Sequence, residues 1–304
     1  MGSGMVRVIH VPIIVFLFSF LNPIPDLQTR IPMTSFTHTT LGRTGLDVCR
    51  LGLSATYRPG KAAIHAALDA GINYFFLFGI DTHMVKALRD LAPSDRQRIV
   101  IATGAYNLIW GHTSPRRTLE KHLRRLRTDY LDVFQFLGVL RGKQFPPSLQ
   151  GEFVRLREEG KVRAIGLSTH DRQFAGKLAE EGNMDVLMIR YNAAHPGAET
   201  DIFPHLAAHD PGVVNFTATR WRYLIRRLRG WPQDRPVPTP QQCYRFVLSN
   251  PHVHVCLNAP MNRKQMKQNL TALEQGPLAN DEMALMREYG AFVHRNSNRW
   301  VNKF

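Results

Sequence analysis

From Met33 onward, the chain alternates short apolar runs with longer segments in which apolar residues recur every three or four positions. The short runs are not interrupted by regularly spaced polar residues, which is the pattern of parallel strands buried on both faces. The longer segments have the period of amphipathic helices. The runs predict a hairpin leading into a first strand within Phe36–Leu53, then strands at Asn73–Phe78, Ile99–Thr103, Tyr130–Phe136, Val162–Leu167, Val186–Ile189, Val213–Phe216 and Val253–Leu257.

Residues that favour helix ends punctuate the segments between these strands. Ser114 and Pro115 have the residue types of an N-cap and a first helical position. Gly160 and Gly182 follow predicted helices, at the position where glycine commonly ends a helix. The predicted helices are Lys61–Ala70, Thr82–Leu91, Pro115–Leu126, Pro147–Glu159, Asp171–Glu181, Ile202–Ala208, Thr239–Ser249, Arg263–Leu273 and Asp281–Val293.

This order of elements predicts an α/β fold, a (β/α)8 TIM barrel with an N-terminal β-hairpin and an extra C-terminal helix. Eight strands, most of them followed by a helix, extend over roughly 250 residues, and right-handed βα units of that number close into a barrel. A doubly wound parallel sheet is the rival fold. That fold usually carries a GxGxxG motif after its first strand, whereas the first junction here reads LGLSATYRPG.

Residues 1–32 form a separate N-terminal extension in the predicted organisation. Val8–Leu21 is a 14-residue apolar run interrupted by Pro12, shorter than the ~20 residues that a membrane-spanning helix needs. Three interpretations stay open: translated upstream sequence ahead of a start at Met33, a signal or membrane anchor, or an ordered arm of the fold. The first predicts a cytoplasmic protein, and the second predicts one that is anchored or exported.

The composition is that of a globular protein, with 304 residues of which 44% are hydrophobic, and this excludes a disordered chain. The net charge of +15 fits either a solvated basic surface or an anionic partner. Cys49, Cys243 and Cys256 form no CxxC motif, which favours a reducing compartment. His252 and His254 flank one strand residue without a third ligand at metal-site spacing, so no metal site is predicted.

Five segments then carry a resemblance: LGRTGLDVCRLGL, ALDAGINYF, LRRLRTDYLDVFQ, GKVRAIGLS and NRKQMKQNLTAL. In this order they resemble the aldo-keto reductase superfamily over about residues 40–290. The resemblance implies a barrel whose hairpin closes the bottom. It also implies an NAD(P)H-dependent carbonyl reductase that binds its cofactor extended, without a Rossmann motif. The family usually begins shortly before the hairpin, which favours the start at Met33.

The family's catalytic set is an Asp, a Tyr, a Lys and a His, in which the Tyr donates a proton to the carbonyl oxygen and the others tune or orient the reaction. The matching positions here are Phe76, Asp81, Gly104 and Leu137. Phe76, Gly104 and Leu137 cannot exchange protons, and a carboxylic acid donates near pH 7 only in an unusual environment. The usual mechanism is therefore not expected here. Asp81 and Tyr106 are the candidate proton donors.

The cofactor motif of the family is partly kept. Ser168 matches a residue that holds the nicotinamide carboxamide, Thr169 replaces an Asn and Met188 replaces a Gln. Phe216 matches an aromatic residue that stacks on the nicotinamide, and stacking needs only a ring face. The start of the last barrel helix matches the adenosine end, with cations where phosphate binds favourably. The resemblance therefore implies NADP(H) or NAD(H) held by Ser168, Phe216, Asn262, Arg263, Gln265 and Asn269, with Lys264 and Lys267 adding charge. The alternative is that these helix residues are simply solvated.

Further polar residues follow the strands. Arg190–Glu199 either lines the pocket mouth or folds on its own hydrogen bonds. The Arg- and Trp-rich segment Thr219–Arg235 either clamps a pyrophosphate or lies on the surface, and nucleic acid is an unlikely partner. The remaining polar candidates at the strand ends are Tyr57, Arg58, His83 and Tyr106.

Two hypotheses follow for the function. The first is an aldo-keto reductase-like oxidoreductase that uses NAD(P)(H) and a non-standard active site on an unknown small-molecule substrate. The second is a catalytically inactive barrel that keeps a ligand pocket and has a binding or regulatory role. The changed catalytic positions favour the second hypothesis, and the partial cofactor motif supports the first.

Overall fold

The computed structural model describes Met1 and residues 36–78, 81–108 and 111–297. The predicted extension 1–32 therefore lies outside the described residues except for Met1. Among the helices that are described, none is both long and apolar enough to span a membrane.

The strands form a hairpin and a closed parallel barrel. The hairpin strands β1 (His38–Thr40) and β2 (Asp47–Cys49) pair antiparallel. A short β6 (Gly111–His112) pairs antiparallel with the end of one barrel strand. The eight barrel strands are β3 (Leu51–Ser54), β4 (Tyr74–Phe76), β5 (Val100–Leu108), β7 (Leu131–Val139), β8 (Val162–Thr169), β9 (Val186–Arg190), β10 (Gly212–Phe216) and β11 (Val255–Asn258). Each pairs in parallel with the next and β11 pairs with β3, so the predicted (β/α)8 barrel is confirmed and the doubly wound sheet is excluded.

The helices surround this barrel. Their caps follow the sequence: Ser114, Asp171 and Thr239 each accept a backbone N–H at a helix start. The last helix follows the final barrel helix, as predicted. The described helices are α1 (Lys61–Asp69), α2 (Thr82–Arg89), α3 (Pro93–Arg96), α4 (Pro115–Leu126), α5 (Pro147–Glu158), α6 (Arg172–Glu181), α7 (Ala198–Asp201), α8 (Pro240–Leu248), α9 (Arg263–Glu274) and α10 (Asn280–Asn296).

One predicted helix is wrong. Instead of a helix over Ile202–Ala208, the chain forms α7 and then a single 3-10 turn at Phe203–His205. Pro204 lacks a backbone N–H and its ring obstructs the preceding turn, so α7 does not continue as a regular helix through Phe203–His205.

The hairpin closes the lower end of the barrel, where the strands begin. Leu41, Leu46 and Val48 belong to the cluster of side chains inside the barrel. The turn between β1 and β2 is tied to the loop before β9, because the guanidinium of Arg43 donates to the Gly182 carbonyl oxygen at 2.7 Å and to the Asp185 carboxylate at 3.0 Å.

Alternate residues of each strand divide into an inner and an outer core. Phe75 and Phe136 pack outward among the helices, whereas Phe76 and Leu137 belong to the inner cluster. Deeper in the barrel, Tyr74 and Gln135 are fully buried. Three glycines leave room for these two residues and for the close approach of strands. They are Gly52, Gly104 and Gly166.

Candidate functional site

The upper ends of the barrel strands present a ring of inward-facing side chains. Phe76, Leu137 and Met188 are members of the inner cluster, and Tyr106 and Phe216 pack against it. Ser168 is the register partner of Met188, and Arg190 is the register partner of Phe216. Barrel enzymes carry their chemistry at this end. The candidate site is therefore lined by Phe76, Tyr106, Leu137, Ser168, Met188, Arg190 and Phe216.

Three of the four positions that match the family's catalytic set carry no proton-exchanging group. Phe76 and Leu137 are 2% and 3% exposed and pack with apolar neighbours. At Gly104, a β-carbon would lie 2.0 Å from the Gln135 carbonyl oxygen and 2.8 Å from the Leu137 Cγ. No side chain fits at position 104 unless β5 and β7 move apart.

Asp81 lies at the start of α2, where it acts as the N-cap. Its Oδ1 accepts the backbone N–H groups of His83 at 2.7 Å and Met84 at 3.1 Å. The residue is buried, and Oδ2 has no hydrogen-bond partner among the described residues. The carboxylate is thus held by the helix that it caps. This placement favours Tyr106 over Asp81 as the proton donor.

Tyr106 is a partly buried residue of β5 that faces the site. Its ring lies 5.7 Å from the ring of Phe78, which is 40% exposed and lies two residues beyond β4. The backbone N–H of Tyr106 donates to the Thr113 Oγ1 at 2.7 Å, which anchors this part of the strand. A phenol hydroxyl can donate or accept a proton, so Tyr106 supplies an acid group beside apolar walls.

The nicotinamide end of the predicted cofactor site has mixed support. Ser168 faces the site, and Phe216 is partly buried with its ring 5.2 Å from the ring of His170. Thr169, however, is turned away, because its hydroxyl donates to the Val139 carbonyl oxygen at 3.0 Å. His170, which directly follows β8 and lies two residues beyond Ser168, was not among the residues predicted from the sequence.

The predicted adenosine end of the cofactor site lies at the start of α9. Asn262 caps this helix by accepting the Gln265 N–H at 3.0 Å, and the Gln265 Oε1 accepts the Met261 N–H at 2.8 Å. Arg263 is exposed in the first turn. Asn269 is buried and donates to the Asn258 Oδ1 at 3.1 Å, which ties α9 to β11. Asn262, Gln265 and Asn269 therefore shape the helix start, and the exposed cations beside them suit phosphate.

Several cationic and histidine side chains lie near the upper end of β9. The Nε of Arg220, which is fully buried, donates to the His195 Nε2 at 2.9 Å. Burial, Arg190 and Arg220 lower the pKa of His195 to about 2, so His195 is neutral at pH 7. Burial and Arg190 lower the pKa of His170 to about 4. This end of the barrel is thus rich in positive charge.

The loop Arg190–Glu199 largely folds on its own contacts. Asn192 is fully buried, donates to the Thr217 carbonyl oxygen at 2.9 Å and accepts the Ala194 N–H at 3.0 Å. Glu199 accepts the Tyr191 hydroxyl at 2.6 Å. Arg190 is the register partner of Phe216, and its buried Nη1 has no hydrogen-bond partner in the described part of the chain.

The Arg- and Trp-rich segment Thr219–Arg235 packs mainly on α10. Trp231 is buried with its ring 4.7 Å from that of Tyr289. Arg235 pairs with Glu288 at 2.5 Å, and Arg220 donates to the Val293 carbonyl oxygen at 3.2 Å. These contacts favour the surface interpretation for most of the segment. Thr217, Arg220, Trp221 and Arg222 all have positive φ, a strained run for residues other than glycine.

Within the described ranges, no group of three His, Cys, Asp or Glu side chains could hold a metal ion. His252 is exposed and stacks near Phe203, with ring centroids 5.4 Å apart. His254 accepts the Val213 N–H at 3.0 Å through Nδ1. The contacts of both histidines are therefore packing and backbone contacts within the fold.

Comparison with known proteins agrees with this fold. The model of the aldo/keto reductase family matches residues 54–291. The uncharacterized oxidoreductase YqkF of Bacillus subtilis is 25% identical over 197 residues, which cover 57% of this chain and 62% of that protein. The NADH-specific methylglyoxal reductase of Escherichia coli is 24% identical over 214 residues, or 57% of this chain and 64% of that protein.

Other relatives match over shorter lengths. An aldo-keto reductase of Mycobacterium sp. (strain KMS) is 27% identical over 132 residues, which cover 42% of this chain and 48% of that protein. The chain thus spans about half to two thirds of the length of these curated relatives. The holo form of aldo-keto reductase AKR11C1 from Bacillus halodurans superposes with a TM-score of 0.68 at 21% identity, covering 83% of this chain and 96% of that one.

The closed barrel, the hairpin at its lower end and the family match over most of the chain lead to one conclusion. The chain belongs to the aldo/keto reductase family, a family of oxidoreductases with a TIM-barrel fold.

Proposed function

We propose that this chain is an NAD(P)(H)-dependent oxidoreductase that acts on a small molecule through a non-standard active site. One observation carries the proposal: Tyr106, Ser168 and Phe216 all face the upper end of the barrel, so an acid group, a polar hydroxyl and an aromatic face line one site. The same end in barrel enzymes holds the chemistry.

The residues present fit a nicotinamide dinucleotide in kind. Phe216 offers a partly buried ring for stacking, and the Ser168 hydroxyl offers a hydrogen bond to a carboxamide. Arg263, Lys264 and Lys267 are exposed around the first turns of α9, where the helix dipole also favours phosphate. When bound, such a cofactor supplies or accepts hydride.

The chain's own part in the reaction falls to Tyr106. Its hydroxyl would exchange the proton that balances hydride transfer at a carbonyl or alcohol oxygen. Phe76, Leu137 and Met188 form apolar walls that exclude water from this site. Because Phe76 and Gly104 stand where the family has the Asp and the Lys that lower the tyrosine pKa, we expect slow turnover.

A cofactor titration tests the first half of this proposal. NADPH and NADH are titrated into the protein while tryptophan fluorescence is followed. Saturable binding with a Kd below about 10 μM, roughly −7 kcal/mol, is expected. Phe216→Leu keeps an apolar side chain but loses the ring, and should weaken binding several-fold. Phe36→Leu, in the lower hairpin region, is the matched control. No binding up to millimolar concentration would contradict the proposal.

A screen of carbonyl substrates tests the second half. Tyr106→Phe removes the acid group and is expected to abolish turnover with cofactor binding retained. Tyr130→Phe is the control, because Tyr130 lies just before β7 at the opposite end of the barrel, against the guanidinium of Arg96 at 4.4 Å. Turnover that is equal in both variants would rule out Tyr106 as the donor.

The second candidate function is a binding or regulatory barrel without turnover. The specific observation in its favour is the blocked β-carbon position at Gly104, together with Phe76 and Leu137. Saturable dinucleotide binding without turnover on a broad carbonyl screen would support this candidate over the enzyme.

A further inference from the structure

Arg190 is the one cationic residue of β9, and it faces the candidate site. Val186 and Met188 belong to the inner cluster, so Arg190, two residues further on, continues the inward-facing row at the upper end of the strand. Its register partner is Phe216 on β10. The guanidinium therefore lies at the barrel mouth, beside the ring offered to a ligand.

The guanidinium of Arg190 has no counter-charge within the described residues. Its Nη1 is buried and donates no hydrogen bond, and no described carboxylate pairs with the side chain. Burial, together with Arg172 and Arg220, lowers the pKa of Arg190 to about 10. Arg190 is partly buried, and withdrawing an unpaired charge from water costs free energy. An anion that binds beside the guanidinium would therefore stabilise the folded protein.

The carboxylates that follow β9 in the next loop and in α7 are already engaged. Asp201 accepts the Arg172 Nε at 2.6 Å, and Glu199 pairs with Arg287 at 3.0 Å. The pKa values of His170 and His195 are lowered by burial and by the charge of Arg190, so both histidines are neutral at pH 7. Among the residues that the structure describes, no carboxylate forms an ion pair with Arg190.

We propose that Arg190 binds an anionic oxygen group, a carboxylate or a phosphoryl group, of a small molecule bound at the barrel mouth. A guanidinium presents parallel N–H donors that match the two oxygens of such a group. The location of this pocket rests on the proposed function. The anion could belong to an acidic substrate or to the pyrophosphate of the dinucleotide. In both cases the guanidinium of Arg190 would bind a pair of anionic oxygens.

Three probes separate these sources: malonate as a dicarboxylate, inorganic pyrophosphate, and NADPH. Each is titrated by calorimetry into the full chain and into Arg190→Met, Arg190→Lys and the control Arg229→Met, whose side chain is exposed. Arg190→Met is expected to weaken at least one probe tenfold or more. Arg190→Lys, which keeps the charge but loses the paired donors, should fall between it and the wild type.

The pattern of losses assigns the source. Weaker binding of malonate with NADPH unchanged supports an acidic substrate, whereas weaker pyrophosphate and NADPH binding supports the cofactor. A melting experiment adds an independent readout: without ligand, Arg190→Met should melt at or above the wild-type temperature, and malonate or pyrophosphate should raise the melting temperature of the wild type more than that of the variant.

Equal affinities for all three probes in the wild type and Arg190→Met would overturn this inference, as would equal losses in Arg190→Met and Arg229→Met. The two proposals fail separately. NADPH binding with no dependence on Arg190 for any probe overturns only the role of Arg190. Malonate binding that depends on Arg190, without any dinucleotide binding, overturns only the proposed cofactor.

Discussion

At the scale of single residues, position 104 decides what chemistry β5 can carry. The family places a lysine there, and this chain has glycine. The carbonyl oxygen of Gln135 occupies the space that a β-carbon would need, at 2.0 Å. The loss of the lysine is therefore built into the approach of two strands and is not a simple exchange of side chains.

We predict that Gly104→Ala lowers the free energy of unfolding by about 2 kcal/mol or more, because the new methyl group overpacks the barrel. Gly151→Ala is the matched control. Gly151 lies in α5 with no atom within 4 Å of the added β-carbon, so this change should be neutral or stabilising by about 0.5 kcal/mol. Urea denaturation of both variants checks this. Equal stability of Gly104→Ala and the wild type would show that β5 and β7 separate easily.

The sequence predicted only part of the candidate site. The motif positions of Phe76, Leu137, Ser168 and Phe216 could be located from sequence, because their strands are well marked and period-2 alternation fixes the face. The N-cap role of Asp81 and the isolation of the Arg190 guanidinium could not, because both depend on which partners the fold brings close.

At the scale of elements, the strands and most helices follow the hydrophobic pattern closely. Boundaries moved by a few residues, and β5 and β7 extend to Leu108 and Val139, beyond their predicted ends. Their extra residues lie at the upper edge, where tertiary pairing rather than local pattern decides how far a strand runs. In place of the helix predicted over 202–208, the chain forms a 3-10 turn at Phe203–His205.

Strands β10 and β11 are joined by a contact that predicts a pH effect. The Nδ1 of His254 accepts the Val213 N–H at 3.0 Å, and burial lowers the pKa of His254 to about 4. The unfolded chain takes up this proton near pH 6.5, whereas the folded chain does so only near pH 4. Stability from this group is therefore full above about pH 6.5 and decreases as the pH falls towards 4.

His254→Asn keeps an acceptor for the Val213 N–H but does not titrate. We expect its unfolding free energy to fall less steeply between pH 6.5 and 4 than that of the wild type. The two slopes should differ by less than about 1.4 kcal/mol per pH unit, the effect of one proton. His65→Asn, on the exposed face of α1, should keep the wild-type slope. Urea denaturation at several pH values checks both. A wild-type slope in His254→Asn would contradict this assignment.

At the scale of the whole molecule, the barrel is closed by strands that all lie within residues 51–258. The extension at residues 1–32 precedes this span in the sequence. The separate character of this extension and a cytoplasmic location both stay predictions.

A chain that begins at Met33 is therefore expected to fold, with the circular dichroism of the barrel and a melting temperature within about 4 °C of the full chain, the shift that 1 kcal/mol produces at this size. Thermal melts of the two chains check this, and the mass of the native N-terminus shows which start is used. A much larger drop in melting temperature would give residues 1–32 a part in the stability of the fold.

The glycines that accommodate Tyr74, Gln135 and the closely spaced strands also constrain the order in which substitutions can accumulate in this chain. At Gly166 a β-carbon would lie 2.5 Å from the Val186 carbonyl oxygen, which repeats the obstruction found at Gly104. A lysine at position 104 would destabilise the fold through this steric conflict, and this cost would precede any benefit to catalysis. A path back to the family's catalytic set would first need a displacement of β7, which by itself brings no activity. Natural or directed evolution that tests one substitution at a time would therefore select against the return of the lysine, because the first step destabilises the fold.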